Sequence, residues 1–232
     1  MRIGKDYYEL RRYEIETEAQ KAGFDRFARD AAIPALNRLG IGPVGVFYPW
    51  EGLSPIYVLL RHRHVGSCMS MTQRLSEDQE FLDKGAAFLD APAERPAYQR
   101  MTSSLMVAFD GMKQLETPIT NPGRVIQLRT YESASAAAGQ TKIEMFNTAE
   151  IDIFRKTGLH PVFFGETLIG DKMPNLTYML VFKDMEQRKA NWKKFGGHPD
   201  WKALKAIPKY ADKKIVSHIT NLFLRPADYS QI

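Results

Sequence analysis

Two pairs of side chains carry the sharpest chemical suggestion in this sequence. Arg11 with Tyr13, and Arg129 with Tyr131, are each spaced i, i+2 in segments that alternate like strands, so each pair leaves one strand face. A guanidinium and a phenol lining an otherwise apolar chamber would suit a carboxylate, a quinol or an enol. Tyr57 and Tyr178, read as matching positions on a later strand of each half, would extend that lining. If Leu10 and Leu128 face the helices, the Arg and Tyr side chains face the open side of the sheet. The competing reading is a buried polar network, with Arg11 paired to Glu9 or Glu14 and the tyrosines fixing register.

Other chemistries find less support. His62 and His64 share a strand face, but Arg61 and Arg63 flank them and no Asp, Glu or Cys close by completes a ligand set. They read as a positively charged strand end, so no metal site is expected. Cys68 has no suitably spaced His and acid to make it a nucleophile, and His198 before Pro199 reads as a helix start. Glu166 has no acidic partner at the matching Tyr48, so an acid/base role for it would belong to the second half alone. There is no Gly-x-Ser-x-Gly elbow, no phosphate-cradling glycine loop and no dinucleotide fingerprint. No cofactor is expected, and catalytic residues are left unassigned.

The elements that must position these residues occur twice. Tyr8-Glu9-Leu10-Arg11-Arg12-Tyr13-Glu14 reappears as Ile126-Gln127-Leu128-Arg129-Thr130-Tyr131-Glu132, 118 positions later. The offset holds for Ile33 with Ile151, Gly40 with Gly158, Pro43 with Pro161 and Val44 with Val162. It then shifts, pairing Tyr57 with Tyr178 and Ser103 with Ser217. Such a period predicts a tandem duplication: a first domain over 1–112, a linker over 113–122 and a second domain over 123–232.

Alternation predicts strands at 6–15, 44–49, 55–63 and 102–109, and again at 124–132, 161–168, 175–183 and 215–224. Helical spacing predicts a helix from Thr17, its N-cap, to Leu39, kinked or split by Pro34 and closed by Gly40. A further helical region runs from about Ser67 to Leu89, where Ser76 and Gln79 have capping-box spacing. Helices at about 136–157 and 184–195, and a short one from His198, complete the second half. Each half is then β-α-β-β-α-β, the ferredoxin-like order, in an α+β class with helices on one sheet face.

The chain has 232 residues, 44% hydrophobic and 25% charged, so each half can bury a core without disulfides or metal. The single Cys68 excludes an internal disulfide. Net charge is +5, and residues 183–214 hold ten Lys or Arg against four Asp or Glu. Trp192, Phe195 and Trp201 are interleaved there, a composition shared with nucleic-acid surfaces. It reads more economically as amphipathic helix with lysines on the wet face, and nucleic acid is not the expected partner. No run approaches the ~20 apolar residues of a membrane span, and Met1 to Lys5 lack a signal-peptide core. A soluble, cytoplasmic protein is expected, with a removed leader left open.

The Glu-Leu-Arg-x-Tyr-Glu strand, the helix closing on Gly40 before Pro43, and the Trp201 helix before the last strand together resemble the NIPSNAP family. The likeness spans both halves, so the chain resembles two tandem NIPSNAP domains. The family belongs to the dimeric α+β barrel group, and the resemblance implies two ferredoxin-like halves packed as a dimeric α/β barrel, assembling as a homo-oligomer. It implies little chemistry: the family has no agreed enzymatic activity, and its animal members are mitochondrial proteins linked to vesicle and autophagy functions. The first half departs from the family pattern after Tyr57, where Arg61–Gly66 is basic and 91–100 is proline-rich. Three functions follow: a non-enzymatic protein binding a small apolar or acidic ligand or a protein partner, a cofactor-independent monooxygenase or isomerase, and nucleic-acid binding through 183–214. The first is preferred.

Overall fold

The computed structural model describes residues 4–232, and the reading of Met1 to Ile3 lies outside the described residues. The first half runs β1 (Tyr7–Glu14), α1 (Glu18–Phe27), α2 (Ile33–Arg38), β2 (Val44–Pro49), β3 (Ile56–His62), α3 (Val65–Ser76), α4 (Gln79–Leu89) and β4 (Arg100–Ala108). The second runs β5 (Val125–Glu132), α5 (Ala136–Met145), α6 (Ile151–Thr157), β6 (His160–Ile169), β7 (Asn175–Phe182), α7 (Met185–Gly197), α8 (Pro199–Lys205), α9 (Asp212–Ile215) and β8 (His218–Pro226). The class is α+β, with antiparallel pairing between the strands of each unit. Among the described residues no helix is long and apolar enough to cross a membrane.

The chain forms two compact units, one of Tyr7–Ser103 with Pro226–Ile232, the other of Ser104–Arg225 with the segment ending at Asp6. In the unit built on Tyr7–Ser103, β3 lies between β1 and β2. In the other, β7 lies between β5 and β6, β8 flanks β5, and the end of β4 pairs with β6.

Corresponding positions behave alike. Thr17 caps α1 by accepting from the Gln20 amide, and Ser135, 118 residues on, caps α5 by accepting from the Ala138 amide. Gly40 and Gly158 both sit at positive φ, 75° and 78°, where a Cβ would be strained. Between α1 and α2 the helix opens into one π turn, Ala28–Ala32, and between α5 and α6 into another, Phe146–Glu150. The predicted break at Pro34 is thus a π turn just before it. Proline is not its sole cause, since the second half has Asp152 at that place and the same turn.

Two local readings are corrected. The helical region after Ser67 is two helices, because Asp78 rather than Ser76 caps the second, accepting from the Phe81 amide. Ser103 corresponds to Asn221 rather than Ser217, since β8 starts 118 residues after β4.

The C-terminal segment is tied into the first half's unit. Tyr229 donates to Asp25 at 2.5 Å, Tyr48 donates to the same carboxylate oxygen, and Lys21 reaches the other oxygen at 2.8 Å. Burial would push the Asp25 carboxyl up, but the hydrogen bonds from Lys21, Tyr229 and Tyr48 outweigh it and hold the group below the usual carboxylate range. A depressed carboxyl contributes stability above its unfolded value and loses it as pH falls through the folded one. The Asp25→Asn variant should therefore be less stable by about 1.5–3 kcal/mol near neutral pH. The gap between variant and parent should shrink as pH falls below about 4. Urea unfolding at the two ends of that range checks this, and a gap that stays constant refutes it.

Candidate functional site

Opposed residues of an antiparallel pair share a face. Arg11 is opposite Val58 and Tyr13 opposite Ile56. Val58, Ile56 and Tyr13 pack in one core with Phe24 and Leu36 of α1 and α2 and Met71 of α3. In the second half Arg129 is opposite Tyr178 and Tyr131 opposite Leu176. These tyrosines pack with Phe146, Phe154 and Phe195 from the helical side. Arg11, Tyr13, Arg129 and Tyr131 therefore face the helices, and Leu10 and Leu128 face the other way, the reverse of the expected orientation. The reason is that both strand faces are buried: Leu59, opposite Leu10, and Met179, opposite Leu128, are both fully inaccessible. Apolar alternation cannot choose a side under those conditions.

Tyr57 is opposite Arg12, on the face away from Arg11, so it does not correspond to Tyr178. Val58 does, because the third strands are offset by 120 positions while the first are offset by 118. The same offset of 120 relates α3 to α7, whose N-caps are His64 and Asp184. It places His62 with Phe182, and Cys68 with Arg188.

One place in each half is thereby built from different residues. In the first half it holds Glu9, Arg11, His62 and Cys68. Glu9 Oε1 accepts from Arg11 Nε at 2.6 Å and from Ser103 Oγ at 2.8 Å. Its Oε2 lies 3.6 Å from His62 Nε2 and 3.8 Å from Cys68 Sγ. Burial alone would raise the Glu9 carboxyl, but the neighbouring His62, the Arg11 charge and hydrogen bonds from Arg11 and Ser103 hold it at about 2. Burial and the Glu9 charge push the Cys68 thiol up to about 11, which keeps it protonated and poorly nucleophilic at neutral pH. The sequence reading found neither acid nor thiol beside His62, and the fold supplies both. His64 turns away, exposed, with Nδ1 accepting from the Ser67 amide at 3.1 Å.

In the second half the same place holds Gln127, Arg129, Phe182 and Arg188. Gln127 Oε1 accepts from Trp192 Nε1 at 2.8 Å and from Arg188 Nε at 3.3 Å, while its Nε2 donates to Asn221 Oδ1 at 2.6 Å. The Arg129 guanidinium lies 5.0 Å from the Trp192 ring and 5.3 Å from the Tyr131 ring, and Arg188 lies 4.6 Å from the Phe223 ring. The buried Arg129 Nε has no hydrogen-bond partner among the described residues. Among the described residues no carboxylate pairs with Arg129 or Arg188. Burial, and then the neighbouring Arg129 charge, push the Arg188 guanidinium down.

Behind Arg129 the Tyr131 and Tyr178 hydroxyls meet at 3.1 Å. Burial and Tyr131 push the Tyr178 phenol well up, so it is a hydrogen-bonding phenol and not a base. Beside Tyr131, Lys142 Nζ and Glu150 Oε2 form an ion pair at 3.1 Å, with both residues at most 3% exposed. Sequence reading missed Lys142 and Glu150, and only the π turn that carries Glu150 turns it inward. Glu166 accepts from Gln140 at 2.5 Å in the second half. Phe195 is buried, and Trp192 and Trp201 pack against the same core, so the aromatics of the basic stretch belong to the interior. The cleft of about 700 Å³ between α1, α4 and residues 91–99 contains none of the predicted site residues.

Residues 126–231 match the NIPSNAP family model, so the second half of the chain is a NIPSNAP domain. No curated protein matches the chain. Among solved structures, the chain is similar to a "putative monooxygenase" from Fusobacterium nucleatum, with 8% identity, a TM-score of 0.63 and coverage of 96% of this chain and 93% of that one. A "putative monooxygenase" from Lactobacillus acidophilus gives 10% identity, a TM-score of 0.61 and coverage of 96% and 94%. At such identities the likeness is one of fold. A NIPSNAP-like domain protein from Burkholderia xenovorans is 17% identical, with a TM-score of 0.43, over 48% of this chain and 92% of its own.

Proposed function

We propose that this chain, which carries a NIPSNAP domain over residues 126–231, binds a small organic anion through Arg129 and Arg188. The observation that carries this reading is the exchange of Glu9 for Gln127. In the first half a carboxylate neutralises Arg11 at 2.6 Å. At the matching place in the second half stands an amide, which leaves two guanidiniums close enough to repel and, among the described residues, neither in an ion pair with a carboxylate. A bound carboxylate would relieve that repulsion and satisfy the idle Arg129 Nε, while the Trp192 and Phe223 rings hold the two guanidiniums in place. Tyr131 and Tyr178 support Arg129 from behind. Arg11, Tyr13 and Tyr57 fall outside the anion site, because Arg11 has its counter-ion and Tyr57 lies on the opposite strand face.

The matching caps, π turns and positive-φ glycines support the further reading that the halves are a tandem duplication of a ferredoxin-like unit whose two copies have diverged at one site. A non-enzymatic role fits better than oxygen chemistry, since burial holds the Tyr178 phenol protonated.

Benzoate and its neutral analogue benzamide make the test. Benzoate should raise the melting temperature of the protein and give saturable calorimetric binding, and benzamide should do neither. Gln127→Glu places a carboxylate beside Arg129 and Arg188 and should weaken benzoate binding by more than about tenfold, the loss of one charge-assisted contact. Arg129→Met should do the same. Equal benzoate affinity in parent, Gln127→Glu and Arg129→Met overturns the proposal.

A further inference from the structure

The same place in the first half poses a different problem of valence. Ser67 Oγ donates its one proton to the His64 carbonyl at 2.8 Å. Its contact with His62 Nδ1, at 3.1 Å, must then run the other way, with Nδ1–H donating to Ser67 Oγ. That assignment leaves Nε2 as the ring nitrogen turned toward the Glu9 carboxylate. His62 is fully buried, and among the described residues its Nε2 has no partner within hydrogen-bond distance. It points at Glu9 Oε2, 3.6 Å away. A buried ring nitrogen and a carboxylate oxygen held this close call for something positive between them.

We propose that Glu9, His62 and Cys68 form a binding site for a zinc-like divalent transition-metal ion. Their ligand atoms all lie within 4.8 Å of one another. The separations of 3.6 and 3.8 Å from Glu9 Oε2 are close to those about 3.3–3.5 Å apart expected on a tetrahedral ion with bonds near 2.0–2.3 Å. A small inward movement completes the set. Imidazole, carboxylate and thiolate suit zinc or cobalt better than magnesium or calcium, which avoid sulfur. On binding, Cys68 Sγ loses its proton to solvent as the metal–sulfur bond forms, and no electron changes hands.

The surroundings match what such a site needs. Arg11 and Ser103 both hold Glu9 Oε1, which orients Oε2 toward the other two ligands. Ser67 fixes the imidazole through Nδ1, the outer-shell bond that metal-ligating histidines characteristically make. Cys68 is half-buried, so water can reach a fourth position from its side. The second half has Gln127, Phe182 and Arg188 at the corresponding positions and cannot form this site, so one ion per chain is expected.

Cys68 is the chain's only cysteine, which makes its thiol an unambiguous reporter. Chelator-treated protein should bind one Co²⁺ with a thiolate-to-metal charge-transfer band in the near ultraviolet and tetrahedral visible bands, and Zn²⁺ should displace it. Zn²⁺ should also slow the reaction of Cys68 with a thiol reagent by more than about tenfold, through loss of the free thiol. His62→Gln and Cys68→Ser should abolish the cobalt spectrum, while Ser67→Ala should weaken binding by about 10–100-fold. Should Cys68→Ser fold poorly, the labelling rate in unmodified protein still decides. Labelling of Cys68 at the same rate with and without Zn²⁺ overturns the proposal, as does metal binding that survives His62→Gln undiminished.

Discussion

Lys142→Met should lower the stability of the protein by about 3–5 kcal/mol, the range for breaking one side of a buried ion pair. For a chain of this size that corresponds to a fall in melting temperature of about 10 °C. Lys142 is 1% exposed and Glu150 3% exposed, and they are 3.1 Å apart. Met keeps most of the apolar stem and leaves the Glu150 carboxylate without its cation. Burial already pushes that carboxyl up, and Lys142 is the chief influence holding it down. In the variant the folded protein must therefore take up a proton at Glu150 or hold an unpaired charge. A group whose folded pKa is raised gives stability below its unfolded value and loses it as pH rises. The deficit of Lys142→Met should accordingly be largest near neutral pH and shrink toward pH 5. The first half supplies the control. At the positions corresponding to Lys142 and Glu150 it has Phe24 and Ala32, both apolar. The double variant Lys142→Met, Glu150→Leu should recover most of the loss, because an apolar pair can replace a buried ion pair at little net cost. A single variant that melts within about 2 °C of the parent would show that the pair is not buried in solution.

The matching caps and positive-φ glycines were legible in the sequence because such features are local ones. A capping hydroxyl at Thr17 and a glycine at Gly40 declare themselves through neighbours in the chain, and the offset of 118 carried them onto Ser135 and Gly158. What failed was anything that depended on which side of a strand is inside. With both faces of β1 and β5 buried, Leu10 looked as good a core residue as Tyr13. The shift from 118 to 120 arises between Val44 and Val58, where the chain connecting the second and third strands differs in length between the halves. A mistake of one residue in locating it moved Tyr57 to the wrong face. The exchange of Glu9 for Gln127 was visible in the aligned motifs all along. Its meaning depended on knowing that Arg11, His62 and Cys68 share its face, and on the helix that brings Cys68 back over the strand. His62 and Cys68 are six positions apart, and neither a strand nor a helix period joins them. The π turns were hidden for a related reason, since one inserted residue disturbs a helical pattern no more than ordinary variation does.

Phe146→Ala should be about as damaging as the loss of Lys142, at about 3–5 kcal/mol. Phe146 opens the second π turn and is fully buried. Its ring contacts those of Phe109, Tyr131, Phe154, Phe164 and Tyr178, at centroid separations from 5.4 to 6.2 Å. Removing it opens a cavity walled by strands on one side and helix on the other, and large rings in staggered contact cannot close such a gap by small movements. It also removes the aromatic face 4.9 Å from Lys142 Nζ, so the cation loses part of its compensation for burial. That shared contact makes the two losses interdependent. The double variant Phe146→Ala, Lys142→Met should cost less than the sum of the singles, because each removes part of what the other stabilises. The corresponding first-half residue is Ala28, 4% exposed, in a core filled instead by Phe24 and Tyr13. Ala28→Phe should overpack that core and cost about 1–3 kcal/mol. Urea titrations of the two single variants, their double and Ala28→Phe give the comparison. Strict additivity between Phe146 and Lys142 would show that the ring and the ion pair are energetically separate, and that the π turn does not bind them into one unit.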